Sequence, residues 1–309
     1  DGDDILYGFA SEDVFDGGAG NDIYYGGEYA DTYHFGYGYG HDRIDDYAPS
    51  AFIGGNDKIV FGQGISASEI QVAWTGEHGL DLTLTVETGE TITAVSYRSD
   101  IYSFSFNVVE EFHFADGTVW QTPELMARYL EGAITSGDDV ITGFGEFGGE
   151  IRTGSGNDTI KGFSGNNTYA GGTGNDRIIG GNGDDTYLYS IGDGSDVIQE
   201  KMGYGNDTLV FGPSIQSSEI GILRDLSDVE AVTLRLADGS EIRLEGQIRT
   251  YDGAGVENFV FSDGTLWTAE DLRRKYVQEH QTDGDDFFIG FTTNDEISGG
   301  QGDDVLYGS

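Results

Sequence analysis

The 309 residues carry 56 acidic and 15 basic side chains, a formal net charge of −41, with 51 glycines, three prolines and no cysteine. That surplus leaves no positive footprint for nucleic acid or an anionic membrane, the lack of cysteine excludes disulfides and thiol chemistry, and no stretch approaches the ~20 apolar residues of a membrane span. Aromatic residues nevertheless make up 13%, which disordered acidic tails lack, so a packed fold is expected once the carboxylates are neutralised.

The chain opens inside a nine-residue periodicity. Gly17-Gly18-Ala19-Gly20-Asn21-Asp22-Ile23-Tyr24-Tyr25 has the form G-G-x-G-x-D-x-U-x, with U large and apolar, and returns as Gly171–Ile179 and Gly180–Leu188. A repeat this short, with glycine and aspartate in phase, marks a calcium-binding parallel β-roll. A longer period overlies it: Asp1-Gly2-Asp3-Asp4 reappears as Ser136-Gly137-Asp138-Asp139 and as Asp283-Gly284-Asp285-Asp286. The expected organisation is a first unit over 1–135 (roll about 1–61, β-rich segment and helix 62–135) and a second over 136–282 (roll about 136–211, β-rich segment and helix 212–282). The start of a third follows over 283–309.

The U positions are Leu6, Phe15, Tyr24, Tyr33 and Ile44, then Ile141, Ile151, Ile160, Tyr169, Ile178, Tyr187 and Ile198, then Phe288, Ile297 and Leu306. In a three-residue strand only the middle side chain faces inward, so these residues are expected to stack inside the roll with x on either side in solvent. Beyond the repeats, Leu80–Val86 and Thr91–Val95 alternate as half-buried strands, and Val232–Leu236 and Glu241–Leu244 form a hairpin through Asp238-Gly239. Phe114-Ala115-Asp116-Gly117-Thr118-Val119-Trp120 and Phe261-Ser262-Asp263-Gly264-Thr265-Leu266-Trp267 each lead into a short helix. Thr122 caps the first, with Pro123 at N1, and Thr268 with Asp271 opens the second as a capping box. Leu125, Tyr129 and Leu130, and Leu272, Tyr276 and Val277, give each helix one apolar face. The fold class expected is all-β, with parallel rolls of two nonapeptides per turn, each followed by a β-rich segment and a capping helix that closes one end.

The sixth repeat position holds the carboxylate: Asp4, Asp13, Asp22, Asp31 and Asp42, then Asp139, Asp158, Asn167, Asp176, Asp185 and Asp196, then Asp286, Asp295 and Asp304. Gly149 breaks the series, with Glu150 one residue out of phase, and Asn167 offers an oxygen without charge. Calcium takes six to eight oxygens from carboxylates and carbonyls. Glycines at positions one, two and four let the backbone turn its carbonyls inward with positive φ. The carbonyl candidates are Gly17, Gly18, Gly20, Gly26, Gly27, Gly171, Gly172, Gly174, Gly180, Gly181, Gly183, Gly299, Gly300 and Gly302. If two nonapeptides make one turn, Asp4 faces Asp22, Asp13 faces Asp31, Asp22 faces Asp42, Asp158 faces Asp176 and Asp176 faces Asp196. Each pair shares an ion, roughly eight to ten in all, and without ions the stacked carboxylates repel. Asp57 and Asp207, in Gly55-Asn56-Asp57 and Gly205-Asn206-Asp207, are candidates to extend each roll by one ligand.

The nonapeptides resemble the RTX, or haemolysin-type calcium-binding, repeats of Gram-negative bacterial exoproteins. The segments after them, with G-N-D-x-[IL]-V-F-G and F-x-D-G-T-x-W, resemble the haemolysin-type calcium-binding related domain. The resemblance implies export by type I secretion as an unfolded chain and folding in extracellular calcium. The family's C-terminal secretion signal is not visible, and the chain is expected to be an excised part of a large exoprotein.

Other signals are weaker. Gly143-Phe144-Gly145-Glu146-Phe147-Gly148 fits G-x-G-x-x-G but no helix pattern follows it. His34, His41, His78, His113 and His280 show no ligand spacing. Trp120 and Trp267 are expected to pack beneath their D-G-T turns, and Trp74 is the candidate for an exposed aromatic contact. Nothing nucleophilic or basic is assembled for catalysis. The reading is therefore a non-enzymatic, calcium-gated structural or adhesin scaffold whose partners are calcium, neighbouring repeat units and a surface or glycan target. Its alternatives are an accessory secretion and folding region of a secreted hydrolase or polysaccharide-modifying enzyme, and a glycan-binding module.

Overall fold

The structure, a computed structural model, describes residues 1–46, 55–75, 81–95, 109–143, 149–162, 165–200, 205–224, 227–248, 255–291 and 298–307. Asp295, Ile297 and His78, and residues 144–148 of the Gly143–Gly148 motif, lie outside them. The chain divides into two compact units, Asp1–Gly132 and Ala133–Ser309.

In the first unit the repeats lay down short strands on two alternating sheets. β1 (Ile5–Ala10), β3 (Ile23–Glu28) and β5 (His41–Ile44) run parallel in one sheet, and β2 (Val14–Phe15), β4 (Thr32–Phe35) and β6 (Lys58–Phe61) in the other. Leu6 pairs with Tyr24 and Phe15 with Tyr33, each 18 residues on, so two nonapeptides make one turn. The β-rich segment follows by extending both sheets. After β7 (Gln71–Thr75) and β8 (Asp81–Thr85), β9 (Thr91–Val95) pairs parallel with β5, and β10 (Glu111–His113) pairs parallel with β6. β8 pairs antiparallel with both β7 and β9, and β11 (Val119–Trp120) turns back on β10. Helix α1 (Thr122–Ala133) comes next.

The second unit repeats this design with one more turn. β12 (Val140–Thr142), β14 (Thr159–Lys161), β16 (Arg177–Ile179) and β18 (Asp196–Gln199) form one parallel stack, and β13 (Glu150–Ser155), β15 (Thr168–Thr173), β17 (Thr186–Tyr189) and β19 (Thr208–Phe211) the other. β21 (Val232–Arg235) pairs antiparallel with both β20 (Gly221–Leu223) and β22 (Glu241–Glu245), with β22 parallel to β18. β23 (Asn258–Val260) joins β19, and β24 (Leu266–Thr268) leads into α2 (Ala269–His280). The third start contributes β25 (Phe287–Ile289) and β26 (Val305–Tyr307), a parallel pair.

The core is the stack of U residues, because each lies mid-strand and points between the sheets. Tyr24, Tyr33, Ile141, Ile160, Tyr169, Tyr187 and Phe288 are completely buried. Leu6, on β1, is only half-buried and Leu306, on β26, is exposed. A second row, Phe35, Phe61, Tyr189 and Phe211, adds to the core two residues beyond U on the longer strands. Fully burying such a ring contributes about 1.5–3 kcal/mol each.

The F-x-D-G-T-x-W motifs form the same aromatic packing twice. Phe114 stacks on Phe61 at 4.7 Å with Trp120 edge-on at 4.8 Å, and Phe261 stacks on Phe211 at 4.6 Å with Trp267 edge-on at 4.5 Å. Trp74 is not an exposed contact: it is half-buried and meets Tyr129 of α1 edge-on at 6.4 Å. Helix α1 begins at Thr122, so Gln121 precedes it, with its N–H donating to Glu124, and Pro123 is the second helical residue. The capping box of α2 has the expected form: the Asp271 N–H donates to Thr268 Oγ1 at 3.2 Å, and the Thr268 N–H to Asp271 Oδ2 at 3.0 Å.

Candidate metal centre

Stacking parallel turns places equivalent residues one above another, and the ladder aspartates use that register directly. Asp22 Oδ1 accepts from the Asp4 N–H at 2.8 Å, Asp42 Oδ1 from Asp22 at 3.0 Å, and Asp31 Oδ1 from Asp13 at 2.8 Å. In the second unit Asp158 accepts from Asp139 at 2.8 Å, Asp176 from Asp158 at 2.8 Å, Asp196 from Asp176 at 2.9 Å, and Asp185 from Asn167 at 2.8 Å. Asp304 accepts from Asp286 at 2.9 Å. The face-to-face pairs read from the spacing are thus brought together.

Asp57 and Asp207 continue the same columns, accepting from Asp31 at 2.7 Å and from Asp185 at 2.8 Å. Each column then ends on a glutamate: Glu110 accepts from the Asp57 N–H at 2.7 Å and Glu257 from Asp207 at 2.6 Å. Neither glutamate shows in the nonapeptide pattern, because each enters from the strand that adds the last turn. Gly149, without a side chain, offers no carboxylate to the column: its N–H donates to Asn167 Oδ1 at 3.3 Å, and Glu150 points outward to Arg152.

In four of these carboxylates one oxygen holds the stack and the other is left over. Asp22, Asp31, Asp158 and Asp176 are at most 2% exposed, and the Oδ2 of each is buried with no hydrogen-bond donor. Gly17, Gly26 and Gly171, at the first position of their repeats, are shaped around that oxygen. A Cβ on Gly17 would collide with Asp22 Oδ2, and one on Gly171 with Asp176 Oδ2. Positive φ is confined to positions two and four, as at Gly172 (88°) and Gly174 (143°), and position one does not adopt it. The expectation of positive φ at all three glycines is corrected: position one is glycine for want of space. Phe9 (φ 81°) and Tyr29 (φ 79°) hold the left-handed conformation at positions two and four without being glycine.

The candidate ligands divide by surroundings. Asp139 and Asp286 begin their columns with both oxygens engaged, by Thr135 N and Oγ1 at 2.7 and 2.8 Å and by Thr282 N and Oγ1, both at 2.7 Å. Asp4 is exposed, and Asp13 and Asp304 are half-buried. The candidate carbonyls of Gly17, Gly18, Gly20, Gly26 and Gly27, of Gly171, Gly172, Gly174, Gly180, Gly181 and Gly183, and of Gly299, Gly300 and Gly302 lie in or beside the inter-strand turns that carry these aspartates. Position five forms a second ladder of opposite sense, with Asn175 donating its N–H to Asn157 Oδ1 at 2.9 Å and accepting from Ser195 at 2.9 Å. Its signal was the Asn or Asp that so often precedes the ladder aspartate.

Two further carboxylates escaped the pattern. Asp46 and Glu200, each four residues beyond the last ladder aspartate of its column, stand where a repeat would have its first glycine. They complete two buried clusters, Asp31, Asp46 and Asp57, and Asp185, Glu200 and Asp207, with ligand atoms within 4.8 Å of one another. Tyr33 donates its hydroxyl to Asp46 at 2.8 Å, and Tyr187 donates to Glu200. Burial raises the carboxyls of Asp31, Asp42, Asp176 and Asp185 to about 6, those of Glu110, Asp196 and Asp207 to about 7, and Glu200 to about 9. Asp57 also rises, through burial and then the nearby carboxylate of Asp46. Buried anions in such numbers require counter-charge.

No helix among the described residues is long and apolar enough to cross a membrane. The RTX calcium-binding nonapeptide repeat matches this chain in four copies, over residues 1–33, 148–172, 161–198 and 280–309. No curated protein sequence matches it significantly. Among solved structures, the extracellular lipase LipA from Serratia marcescens is similar at 18% identity, over 76% of this chain and 38% of the lipase chain, with a TM-score of 0.29. This chain therefore spans less than half the lipase's length. The matched stretches lie on the strands and turns of its parallel β-rolls, so the chain carries RTX calcium-binding nonapeptide repeats.

Proposed function

We propose that the chain is a calcium-gated structural region of a secreted bacterial protein, in which ions seated between successive turns complete the rolls. The observation that carries this is the set of buried Oδ2 atoms without a donor on Asp22, Asp31, Asp158 and Asp176, with Gly17, Gly26 and Gly171 making room by their missing side chains beside those of Asp22, Asp31 and Asp176. Those aspartates, with Asp42, Asp185, Asp196, Asp57 and Asp207 in the same columns, are the principal carboxylate ligands, and turn carbonyls supply further oxygens. Asn167 is a weaker contributor for want of charge. Calcium supplies positive charge that the chain cannot: roughly eight to ten divalent ions would offset about half of the −41.

Outside the cell, where calcium is millimolar, the acidic chain would fold; inside, it would stay extended for type I secretion. The stacked units then act as a stiff adhesin-like scaffold rather than as an enzyme. Far-UV circular dichroism of the metal-free protein, titrated with calcium and with magnesium as control, tests the proposal. Cooperative gain of β signal between about 10⁻⁴ and 10⁻³ M calcium supports it. A chain fully folded in chelator and indifferent to calcium would sink it.

A further inference from the structure

We infer that each roll is closed by a cation site of a different make from those between its ordinary turns: the three-carboxylate clusters Asp31, Asp46 and Asp57, and Asp185, Glu200 and Asp207. The inference rests on the calcium-binding reading of the rolls and adds a specialised site to it.

The geometry begins with a substitution in the repeat itself. In most nonapeptides the first position is glycine, as at Gly8, Gly17, Gly26, Gly162, Gly171 and Gly180, where a side chain would meet the turn's own aspartate or the hydroxyl of a core tyrosine; Thr153 is an exception. At the last crossing of each roll that position carries Asp46 or Glu200 instead. The side chain reaches back to the preceding turn: Asp46 Oδ1 accepts from the Gly27 N–H at 2.9 Å and Oδ2 from the Tyr33 hydroxyl at 2.8 Å. It thereby joins a column to which its own strand, β5, does not belong.

Three buried carboxylates then converge with no basic partner among the described residues, whereas the ion pairs of both units lie elsewhere. Asp31 is completely buried, and its Oδ2 has no hydrogen-bond donor. That oxygen and Asp46 Oδ1 both crowd the space beside Gly26, so the unpartnered atom faces the cluster. Ligand atoms within 4.8 Å of one another suit an ion with bonds of about 2.3–2.6 Å, the calcium range, since opposite ligands then stand about 5 Å apart. Magnesium, with bonds near 2.0–2.1 Å and a reluctance to shed water, suits the enclosure less well.

The same constellation occurs in both units from different acids, Asp46 in one and Glu200 in the other. Three carboxylates rather than two, all buried, make these the tightest sites of the chain. Their position gives them a task. Asp57 and Asp207 receive the glutamates of the final turn, so an ion here ties the repeat columns to the strands β10 and β23 that end them.

The test uses the full chain and calcium itself, counted by equilibrium dialysis against a competing chelator with magnesium in the buffer. Asp46→Asn and Glu200→Gln should each remove one tightly held ion and together two, with at least tenfold weaker retention at those sites. Asp46→Glu and Glu200→Asp, which exchange the acids of the two units, should keep both ions. Each single variant leaves the other unit as an internal reference for folding. Unchanged tight binding in both amide variants would overturn the inference, as would equal loss in the exchanged acids. If Asp22→Asn and Asp176→Asn lose calcium while the amide variants do not, the calcium-binding reading stands and only the closing sites fall. If the wild-type chain binds no calcium, both fall.

Discussion

Asn175 and Asp176 are neighbours that tie their turn in opposite directions: the carboxamide of Asn175 accepts from Ser195 of the next turn at 2.9 Å, and the carboxylate of Asp176 from Asp158 of the previous one at 2.8 Å. The peptide between them is fixed from both sides. Only the aspartate retains a buried, donorless oxygen. One side chain is therefore assigned to the stack alone and the other to both stack and ion.

Replacing each in turn should separate these roles. Asn175→Ala removes an acceptor from an exposed column and should lower stability in calcium by about 1 kcal/mol, with the number of bound ions unchanged. Asp176→Asn keeps an acceptor for Asp158 but removes ligand charge, so the calcium midpoint should rise several-fold. Denaturant unfolding in saturating calcium, paired with a calcium count, checks both. Loss of ions in the alanine variant would contradict the division.

Asn167 allows the reverse experiment. It already stacks between Gly149 and Asp185, at 3.3 and 2.8 Å, so Asn167→Asp adds charge in the same stack and gives up the Nδ2 hydrogen bond to the Gly165 carbonyl at 2.7 Å. In calcium the variant should fold at a lower ion concentration than wild type. In chelator it should be less stable, since one more carboxylate is buried without a partner. A shift of the same sign in both conditions would rule out charge as the cause.

The glycine positions make opposed predictions. Gly171→Ala drives a methyl group into Asp176 Oδ2 and should cost at least 2 kcal/mol in calcium-loaded protein, or prevent that turn from forming. Tyr29→Gly relieves a left-handed conformation at φ 79° and should stabilise the first unit by about 1 kcal/mol. Thermal unfolding in calcium ranks the two against wild type. Equal effects would mean that backbone conformation, not space, governs position one.

Stability in chelator should depend on pH with a definite sign. The raised carboxyls, about 6 for Asp31, Asp42, Asp176 and Asp185 and about 7 for Glu110, Asp196 and Asp207, lie above their unfolded values near 4. A folded-state pKa above the unfolded one contributes stability that is complete below the unfolded value and lost as pH rises through the folded one. The metal-free chain should thus be most folded near pH 4 to 5 and lose structure through about pH 6 to 7. Saturating calcium should remove that loss. Circular dichroism across this range in chelator checks it, and a metal-free chain more stable at pH 8 than at pH 5 would refute it.

Sequence alone determined the nine-residue period, the two repeats per turn and the phase of the ladder aspartates. Each is a local property: Gly17-Gly18-Ala19-Gly20-Asn21-Asp22 sets its turn, and Tyr24 its inward face, by the alternation of a short strand. Stacking then follows from register, since shifting the turn by one residue would bury the wrong face. Tertiary structure decided what depended on strands distant in the chain. Glu110 and Glu257 enter the columns only because β10 and β23 add to β6 and β19, and Trp74 is half-buried only because α1 presents Tyr129 to it. Asp46 and Glu200 look like ordinary loop acids until the last crossing places them against Asp31 and Asp57, or Asp185 and Asp207. A short repeat encodes its own turn, but the site that ends a stack is made where the repetition stops, and its partners are set by packing rather than by phase.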